Sequence, residues 1–576
     1  FLHGYSSVLD DIYKHITGVH KCSEQEIIKV IIDFFFCLFF FCDKVSVMDT
    51  EDSTETSVPV GPCAHISVAI INNSTGNVHF VSLASMIIPA ENYVGKFSFI
   101  FNHMITIICS ILFKLLPLRK KDEEIRISEL YSHFNVILLE RITNFIMKTK
   151  MDIPDKEGRK RLVIVGGGFG GLKLARKLRS DKFQIVLLDK NNHHIFQPLL
   201  YQVATAGIEP SAISFPYRKI FKKRKHFHIR ICEAQRVIPE DNILETSIGA
   251  LSYDYLVVST GCRTNYFGND GLSQRTMALK NTAEALFNRN QILESFEKAQ
   301  NTSNLETRKR LMTFVIVGGG ATGIELSGAL AEMKKFVLPQ DYPDLDMNLM
   351  RIILVDGAPR LLSAFSEKSS EEVANYLLKR EVEIITSVQV TNYENGTMTL
   401  SDNSTLETMN VFWVAGVRAN SIEGLAKEAY GPGNRLLVDL YNCVQGYNNI
   451  FAIGDTALMI SKEYPKGHPQ VVQPAIQQAR NLIQNLDRKE RGLEMQPFVY
   501  HNKGSMATIG RNHAVVELKN LRFGGFPAWA VWLFIHLMSI VGVKNRLFIF
   551  VDWMWSYFTY DPSLRVIIKP LRRDKP

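Results

Sequence analysis

From Arg161 onward, short apolar runs alternate with segments whose apolar residues recur at helical spacing, which predicts alternating strands and helices. Two of these runs are alike. Each passes from β-branched and aliphatic residues through a glycine-rich turn into a helix-like segment: RLVIVGGGFGGLKLARKL begins at Arg161, and TFVIVGGGATGIELSGAL begins at Thr313. This alternation predicts an α/β fold in which helices cover both faces of parallel sheets.

Both glycine turns fit the fingerprint of dinucleotide-binding domains, whose glycines permit a tight turn and let the backbone approach a pyrophosphate. The next helix contributes N-terminal amides and a favourable dipole. The fingerprint glycines are Gly166, Gly168 and Gly171 in the first copy and Gly318, Gly320 and Gly323 in the second. One copy is weak support, because chance loops match it. Two copies in the same context predict two nested Rossmann-like domains.

An acid that ends the second strand of such a domain accepts hydrogen bonds from ribose hydroxyls. Asp189 follows the apolar run Phe183 to Leu188, and Asp356 follows Arg351 to Val355. The longer spacing in the second copy is explained by Lys334 to Asn348, which reads as an extended helix end and a loop. Asp356 would repel the extra phosphate of NADP and so favours NADH, although nearby Arg360 weakens that inference. Either acid could instead be a strand-end turn residue.

Three further strand ends present small or acidic residues. Tyr255 to Ser259 leads into Thr260 and Gly261, and Asn410 to Val414 leads into Ala415 and Gly416; these exits suggest crossovers between nested domains, or ordinary strand ends. In the third, Ile450 to Ile453 leads into Gly454 and Asp455, where the carboxylate can accept a hydroxyl hydrogen bond and the next helix can offer amides to phosphate. Its distance from the first fingerprint suggests that the second domain interrupts the first.

The chain has 576 residues and is 46% hydrophobic, enough for several cores. We predict a first nucleotide domain at 151–310, a second at 311–415, the remainder of the first at 416–520 and a C-terminal membrane-associating helical segment at 521–576. Residues 1–150 form a doubtful leader.

The leader contains two apolar stretches, Ile27 to Cys42 and Phe97 to Leu118, both interrupted by polar residues. The first is short for a membrane span and lacks the order of a secretory signal, and the second is long enough for a span but polar in places. One interpretation is an N-terminal membrane extension. We favour the other, translated sequence upstream of the true start, because Met151 opens a short polar lead into the first nucleotide strand.

The charge distribution and the cysteine content limit the kinds of partner and the cellular compartment that we expect. The net charge of +8 is scattered along the chain without zinc-like spacing, a helix-turn-helix pattern or an aromatic-interleaved basic stripe, so nucleic acid is not an expected partner. The eight cysteines show no CxxC and no regular framework, which favours reduced thiols in a cytosol-facing protein, and no metal site is expected.

Four of the five tryptophans lie in the last segment, at Trp529, Trp532, Trp553 and Trp555. Aromatic residues with flanking cations such as Lys544 and Arg546 are typical of a membrane interface. The run Phe526 to Val543 is at the lower edge of spanning length, so we expect it to lie in the interface as one arm of a helical pair that turns at Gly542 to Asn545. A buried hairpin or a dimer contact is the alternative.

Together these motifs resemble the two-dinucleotide-binding flavoproteins, and within them the type II NADH:quinone oxidoreductases. The resemblance covers roughly Arg161 to Tyr560 and is carried by HHIFQPLLYQVATAGIEP, GGGATGIELSGAL, FAIGDTA and QPAIQQAR. It implies a peripheral membrane, non-proton-pumping respiratory enzyme with non-covalent FAD at the first fingerprint and the Gly454–Asp455 motif, and with NADH as substrate in the inserted domain. A bacterial inner membrane, facing the cytosol, or the mitochondrial inner membrane is expected, as is a homodimer.

The resemblance also implies residue roles. The family motif AQxAxQ beside flavin and quinone stands here as VQPAIQ, with Val472 in place of the first alanine, so Gln473 and Gln477 would face a membrane quinone from one side of a helix. Glu325 would lie near the nicotinamide, although it could instead cap its helix. Lys503 would lie near the flavin and stabilise its reduced ring.

Competing functions remain at this stage. Dithiol reductases of the superfamily need two cysteines that can pair. Sulfide:quinone oxidoreductases use cysteines that are separated in sequence, for which Cys262 and Cys443 are the candidates in this chain. We interpret Cys232, Cys262 and Cys443 instead as core or loop thiols. A soluble NAD(P)H-dependent flavin reductase that serves a protein acceptor is one alternative. A non-catalytic NADH-binding flavoprotein is the other.

Overall fold

The computed structural model describes residues 150–560 and 564–568 in full, and the backbone of an antiparallel hairpin formed by β1 (Ser67–Ile71) and β2 (Val78–Ser82). The two apolar stretches of the leader, five of the eight cysteines and the basic tail at 572–575 lie outside the described residues.

The first nucleotide domain is built on a parallel sheet with strand order β23-β11-β3-β4-β7. The elements from 160 to 300, in chain order, are β3 (Lys160–Val165), α1 (Phe169–Lys177), β4 (Phe183–Asp189), β5 (His193–Ile195), α2 (Leu200–Ala204), β6 (Ser214–Pro216), α3 (Tyr217–Ile220), β7 (Phe227–Ile231), β8 (Ala234–Ile238), β9 (Ile243–Thr246), β10 (Gly249–Ser252), β11 (Tyr255–Val258), β12 (Cys262–Thr264), α4 (Asp270–Arg275) and α5 (Thr282–Gln300).

The central strands of this sheet are buried on both faces, which explains their unbroken apolar sequences. Leu162 and Ile164 of β3 share a core cluster with Leu174 of α1. The alternate residues Val163 and Val165 pack on the opposite side, with residues of the antiparallel sheet β10-β9-β8. The domain therefore has three layers, with the glycine turn at the carboxyl edge of its central sheet.

The second nucleotide domain repeats the arrangement with the parallel order β15-β14-β13-β19. Its elements are α6 (Leu305–Leu311), β13 (Thr313–Val317), α7 (Ala321–Glu332), α8 (Leu338–Asp341), β14 (Arg351–Asp356), α9 (Glu367–Leu378), β15 (Val382–Thr386), β16 (Val390–Glu394), β17 (Thr397–Leu400), β18 (Thr405–Glu407) and β19 (Asn410–Trp413). A π-helical turn, Met333–Val337, joins α7 to α8, so the long spacing before Asp356 is a helix end followed by a loop, as expected.

The chain then returns to the first domain. The remaining elements are β20 (Val417–Ala419), β21 (Tyr430–Gly431), β22 (Arg435–Val438), β23 (Ile450–Ala452), β24 (Ala457–Met459), α10 (Val472–Glu490), β25 (Ser505–Gly510), β26 (His513–Glu517), β27 (Arg522–Gly524), α11 (Gly525–Ser539) and α12 (Val543–Thr559). Strand β23 joins the first sheet beside β11, and the two exit segments β12 and β20 pair with each other. The sequence boundaries 151–310, 311–415, 416–520 and 521–576 remain predictions.

The C-terminal segment forms the helical pair expected from its sequence. Helix α11 ends at Ser539 and α12 begins at Val543, so the turn comes slightly before the predicted position. Gly542 precedes α12 with a φ of 87°, a conformation that favours glycine. Within the described parts of the chain, none of the helices combines the length and the apolar character that a membrane crossing requires.

Candidate active site

In the first glycine turn, the three fingerprint glycines have different surroundings. A side chain on Gly166, whose φ is 95°, would come within 2.3 Å of the Ser259 carbonyl oxygen, and one on Gly171 would come within 1.9 Å of the Gly166 carbonyl oxygen. Gly168 has no protein atom within 4 Å of such a position, so it borders open space. The turn is thus closely packed beneath and open above, where α1 begins without a side-chain cap and leaves its first amides available.

Asp189 is tied to this turn. Its Oδ2 accepts hydrogen bonds from the Gly167 amide at 2.6 Å and from the Tyr217 hydroxyl at 3.0 Å, and its Oδ1 accepts from the Asn191 amide at 2.7 Å. The carboxylate therefore positions the glycine turn at the same edge of the cleft where a ribose would bind. The ribose contact itself remains a prediction. Tyr217 is a partner that sequence reasoning missed, since it comes from a separate short helix.

The late Gly454–Asp455 motif closes the opposite side. Asp455 Oδ2 accepts a hydrogen bond from Cys262 Sγ at 3.0 Å, and burial with the nearby Asp455 raises the pKa of that thiol to about 12, so it remains a protonated donor. Thr260 Oγ1 lies 3.1 Å from Thr456 Oγ1. The structure thus brings together Thr260, Gly261 and Asp455, which are far apart in sequence.

These residues surround a cleft of about 650 Å³, the flavin cleft. Seven of the predicted cofactor residues line it: Gly166, Gly168, Asp189, Thr260, Gly261, Gly454 and Asp455. Gly171 lies beneath, where it allows α1 to pack against the turn. The open Gly168, the uncapped amides of α1 and the two acids at opposite sides fit an extended dinucleotide such as FAD.

The second glycine turn has the same geometry. A side chain on Gly318 would come within 2.7 Å of the Ala415 amide nitrogen, and one on Gly323 within 1.9 Å of the Gly318 carbonyl oxygen, whereas Gly320 borders open space. Asp356 accepts hydrogen bonds from the amides of Gly319 and Ala358. The two turns are therefore equivalent in geometry, and the binding of a dinucleotide phosphate at each remains a prediction.

Arg360, whose positive charge could have attracted the extra phosphate of NADP, has other hydrogen-bond partners. Its guanidinium donates to the carbonyl of Phe365 at 2.8 Å, to that of Ser363 at 3.1 Å and to Ser370 Oγ at 2.5 Å. These bonds hold Arg360 against its own loop and the start of α9. Asp356 is thus left as the charged group beside the second turn, and its discrimination against a 2′-phosphate remains a prediction.

A second cavity, the apolar pocket, has a volume of about 510 Å³. Its walls come from α7 with the following π-helical turn, from β25 and from the helical pair α11–α12, and they include Trp529, Trp532 and Trp553. Its polar lining side chains include Tyr201, Gln202, Glu325, Glu332, Thr508 and Arg511, and the remaining ones are hydroxyl groups at Thr205, Ser556, Tyr557 and Tyr560. A mostly apolar cavity with few polar groups is typical of a site for a hydrophobic ligand.

Glu325 is the most perturbed of these groups. Its side chain is 8% exposed, and burial raises its pKa to about 8, partly offset by a hydrogen bond from the backbone of Thr508. The carboxyl is therefore protonated at neutral pH. Because α7 starts at the second glycine turn, one helix connects the predicted nicotinamide nucleotide site with the apolar pocket.

Glu332 was missed by sequence reasoning. It lies two turns beyond Glu325 on α7 and therefore on the same face. Burial raises its pKa, and the Arg511 amide donates to its Oε1. The seven-residue spacing of the two acids indicates that they share one face of the helix. It does not reveal that they line one pocket, because β25 and α11 complete that pocket.

The predicted glutamine pair lies on α10, but neither member lines the apolar pocket or the flavin cleft. Gln477 is buried: its Nε2 donates to the His501 carbonyl at 2.9 Å, and its Oε1 accepts from the His501 amide at 3.0 Å. Gln473 is half-buried, and Lys503 is exposed in the loop before β25. The roles proposed for these three residues remain predictions.

Comparison with known proteins agrees with this geometry. The family model for pyridine nucleotide-disulphide oxidoreductases matches residues 160–479, and that for the NDH2 C-terminal domain matches residues 502–559. The type II NADH:quinone oxidoreductase Ndh of Mycobacterium tuberculosis is 34% identical over 70% of this chain and 89% of its own length. The chain belongs to the type II NADH:quinone oxidoreductases.

Other relatives extend this result. The external alternative NADH-ubiquinone oxidoreductase of Yarrowia lipolytica mitochondria is 26% identical over 71% of this chain and 81% of its own length. The structure of NDH2 from Plasmodium falciparum in complex with NADH has a TM-score of 0.65 at 20% identity, covers 71% of this chain and 100% of its own, and shares the fold. The predicted enzyme class, an FAD-dependent NADH:quinone oxidoreductase, is therefore confirmed, and nothing favours the two alternatives.

Proposed function

We propose that this type II NADH:quinone oxidoreductase reduces a membrane quinone in the apolar pocket, next to Glu325. The observation that carries this proposal is the position of that carboxyl group, which is buried, has a pKa raised to about 8 and lies on the helix that begins at the second glycine turn. A quinone needs an apolar site for its ring and a proton source for its oxygens. The pocket combines both.

The residues divide the work by location. FAD supplies a group that accepts hydride from NADH and passes on two electrons. The first glycine turn, Asp189 and Asp455 would bind and orient it, and the second turn would bind NADH. Glu325 would hold a proton at its carboxyl oxygen for the quinone, while the aromatic walls of the pocket exclude water.

Steady-state assays test the proposal. The purified protein should oxidise NADH with a short-tailed quinone as acceptor, and an apolar ligand that occupies the pocket should inhibit competitively with quinone. Flavin reduction by NADH, followed in a stopped-flow instrument, should be unaffected by such a ligand. Turnover with ferricyanide but with no quinone would contradict the proposed function.

Asp356→Ala should relax the preference for NADH over NADPH. The carboxylate repels a 2′-phosphate, and Arg360 is held by other groups, so the substitution removes the repulsion without adding a phosphate ligand. We expect the ratio of kcat/KM values for the two nucleotides to fall about tenfold, in line with the loss of about 1.4 kcal/mol. Flavin content should not change, and a parallel loss of flavin would contradict the assignment. Glu383→Ala, on the next strand, is the matched control.

We further propose that α11 and α12 bind the membrane surface. The pair exposes a row of large apolar side chains, including Phe534 (65% exposed), Leu547 (62%), Trp555 (62%) and Phe558 (71%). This number of exposed large apolar side chains on one helix pair is unusual for a protein face in water and is typical of an interfacial helix pair. Lys544 lies at the turn, where it can reach anionic headgroups.

Replacing Phe534, Leu547, Trp555 and Phe558 together with serine should release the enzyme from anionic vesicles. Each side chain contributes roughly 25 cal/mol per Å² of apolar area transferred, so we expect at least a tenfold loss of binding in flotation assays. Substitution is a sharper test than truncation before Phe526, because the inward faces of the same helices bury Trp532 and Ile549 in the core.

The control replaces two exposed apolar residues elsewhere, Phe287 and Val499, with serine. This control should still float with vesicles, and both variants should reduce ferricyanide normally. Membrane binding by the quadruple variant at the level of the control would show that another surface attaches the enzyme. The membrane side and the expected homodimer remain predictions; light scattering of the detergent-solubilised enzyme would test the latter.

A further inference from the structure

A chain of hydrogen bonds runs from α12 to α2 along the wall of the apolar pocket. Trp553 Nε1 donates to Gln202 Oε1 at 2.8 Å, and Gln202 Nε2 donates to the Tyr201 hydroxyl oxygen at 2.9 Å. All three side chains line the pocket. Trp553 belongs to the helix that we assign to the membrane surface, whereas Tyr201 and Gln202 belong to α2 of the first nucleotide domain.

The direction of this chain is fixed by chemistry. An indole N–H can only donate, so the amide of Gln202 must turn its oxygen towards Trp553. The NH₂ group then points to Tyr201 and occupies a lone pair of the hydroxyl oxygen. The phenol keeps its own hydrogen for an acceptor elsewhere.

Tyr201 is suited to remain such a donor. Its side chain is 6% exposed, and burial together with the nearby Glu325 raises its pKa well above the ordinary value, so it stays protonated. Trp532 supplies a second donor, because its side chain lines the same pocket. Its Nε1 atom is buried and has no hydrogen-bond acceptor among the described residues. The polar groups of the pocket therefore favour a ligand that accepts hydrogen bonds.

We propose that the Tyr201 hydroxyl donates a hydrogen bond to a carbonyl oxygen of the quinone, and that Trp553 orients this donor through Gln202. The proposal rests on the proposed quinone site and deepens it. Tyr201 is then a binding residue, and Gln202 and Trp553 are positioning residues. Because Trp553 comes from α12, the membrane-binding helices and the binding of quinone are coupled through this chain.

Position 202 allows a discriminating experiment. In Gln202→Glu the carboxylate accepts from both Trp553 and Tyr201, so the tyrosine donor turns away from the quinone while the packing is kept. In Gln202→Met neither bond forms, but the hydroxyl keeps its hydrogen for the quinone. A merely structural role predicts that Met is the more damaging change for quinone reduction, whereas our proposal predicts that Glu is.

We expect Tyr201→Phe and Gln202→Glu each to raise the KM for a short-tailed quinone about tenfold, with kcat changed less and with flavin reduction by NADH unchanged. The double variant should add nothing to either single change, because both remove the same bond. Gln202→Met should lower the melting temperature and raise KM about threefold, less than Gln202→Glu, because the hydroxyl keeps its hydrogen but is no longer held in direction.

The outcomes separate this inference from the proposed function. If the wild-type enzyme fails to reduce quinone, the proposed function fails. If the wild type reduces quinone and Tyr201→Phe leaves KM unchanged, only the present inference is overturned. If Tyr201→Phe raises KM but Gln202→Met either leaves KM unchanged or raises it as much as Gln202→Glu does, the orienting role of Gln202 and Trp553 is overturned.

Discussion

Gly171→Ala should abolish stable FAD binding, and Gly323→Ala should abolish efficient NADH oxidation while FAD stays bound. In each turn the new methyl group would lie 1.9 Å from the carbonyl oxygen of the first fingerprint glycine. That clash can be relieved only by moving the helix start, which carries the phosphate-binding amides. Overpacking of this kind costs about 1–3 kcal/mol, so we expect retention of FAD, or kcat/KM for NADH, to fall at least about tenfold.

The two variants are matched controls for each other, because the steric change is the same at equivalent positions. Gly168→Ala and Gly320→Ala provide a second comparison, since a side chain there meets no protein atom within 4 Å and should leave the melting temperature unchanged. Flavin absorbance after gel filtration and NADH kinetics measure the outcomes. Loss of FAD from Gly323→Ala, with the fold intact, would contradict the assignment of one nucleotide to each turn.

The success of the sequence at these turns has a physical reason. A dinucleotide turn is largely local: strand, glycines and helix follow one another within a few residues, and Gly171 and Gly323 are required by contacts within the turn itself, whereas Gly166 and Gly318 are required by the neighbouring strand ends at Ser259 and Ala415. Gly166 to Gly171 and Gly318 to Gly323 therefore specify much of their own geometry. The C-terminal helix pair α11–α12 is likewise local, since its aromatic residues and its turn are contiguous in sequence.

Residues whose surroundings come from distant segments were harder to interpret. The quinone role of Gln477 follows from the resemblance to the family motif and remains a prediction; the sequence does not show that its amide is bound to the backbone of His501, in a loop that follows α10. Tyr201 and Gln202 lie in a motif that the sequence singled out, but their direction depends on Trp553. No periodicity in the sequence records such pairings.

Glu325 shows the same difficulty most clearly. Its position after the second fingerprint suggested a contact with the nicotinamide or a helix cap, and both ideas treat it as an ionised acid. In the structure it is buried beside Thr508 and lines the apolar pocket, and its pKa is raised to about 8. Burial by strands and helices far along the chain thus favours the protonated form of the Glu325 carboxyl group.

Glu325→Gln should reduce quinone turnover by about 100-fold, the lower end of the effect of a general acid, while NADH still reduces the bound flavin at the normal rate. Reduction of a quinone to a quinol takes up two protons with two electrons, and the glutamine amide cannot supply a proton. The wild-type quinone rate should fall above about pH 8 as Glu325 loses its proton, and the variant should lack this fall. A variant that keeps quinone turnover within threefold would exclude Glu325 as the proton donor.

Stability measurements test the burial of Glu325 independently of activity. Its pKa is raised from 4.5 to about 8 on folding, so between these values the unfolded chain has released a proton that the folded protein retains. The free energy of unfolding contributed by this group is therefore highest below pH 4.5, falls as the pH rises towards 8 and is constant above, with a slope of about 1.4 kcal/mol per pH unit inside the window. Glu325→Gln removes this penalty, so its melting temperature relative to the wild type should increase from pH 5 to pH 8. If the difference does not change with pH, Glu325 is ionised in the folded enzyme, and the proton for the quinone must come from another group.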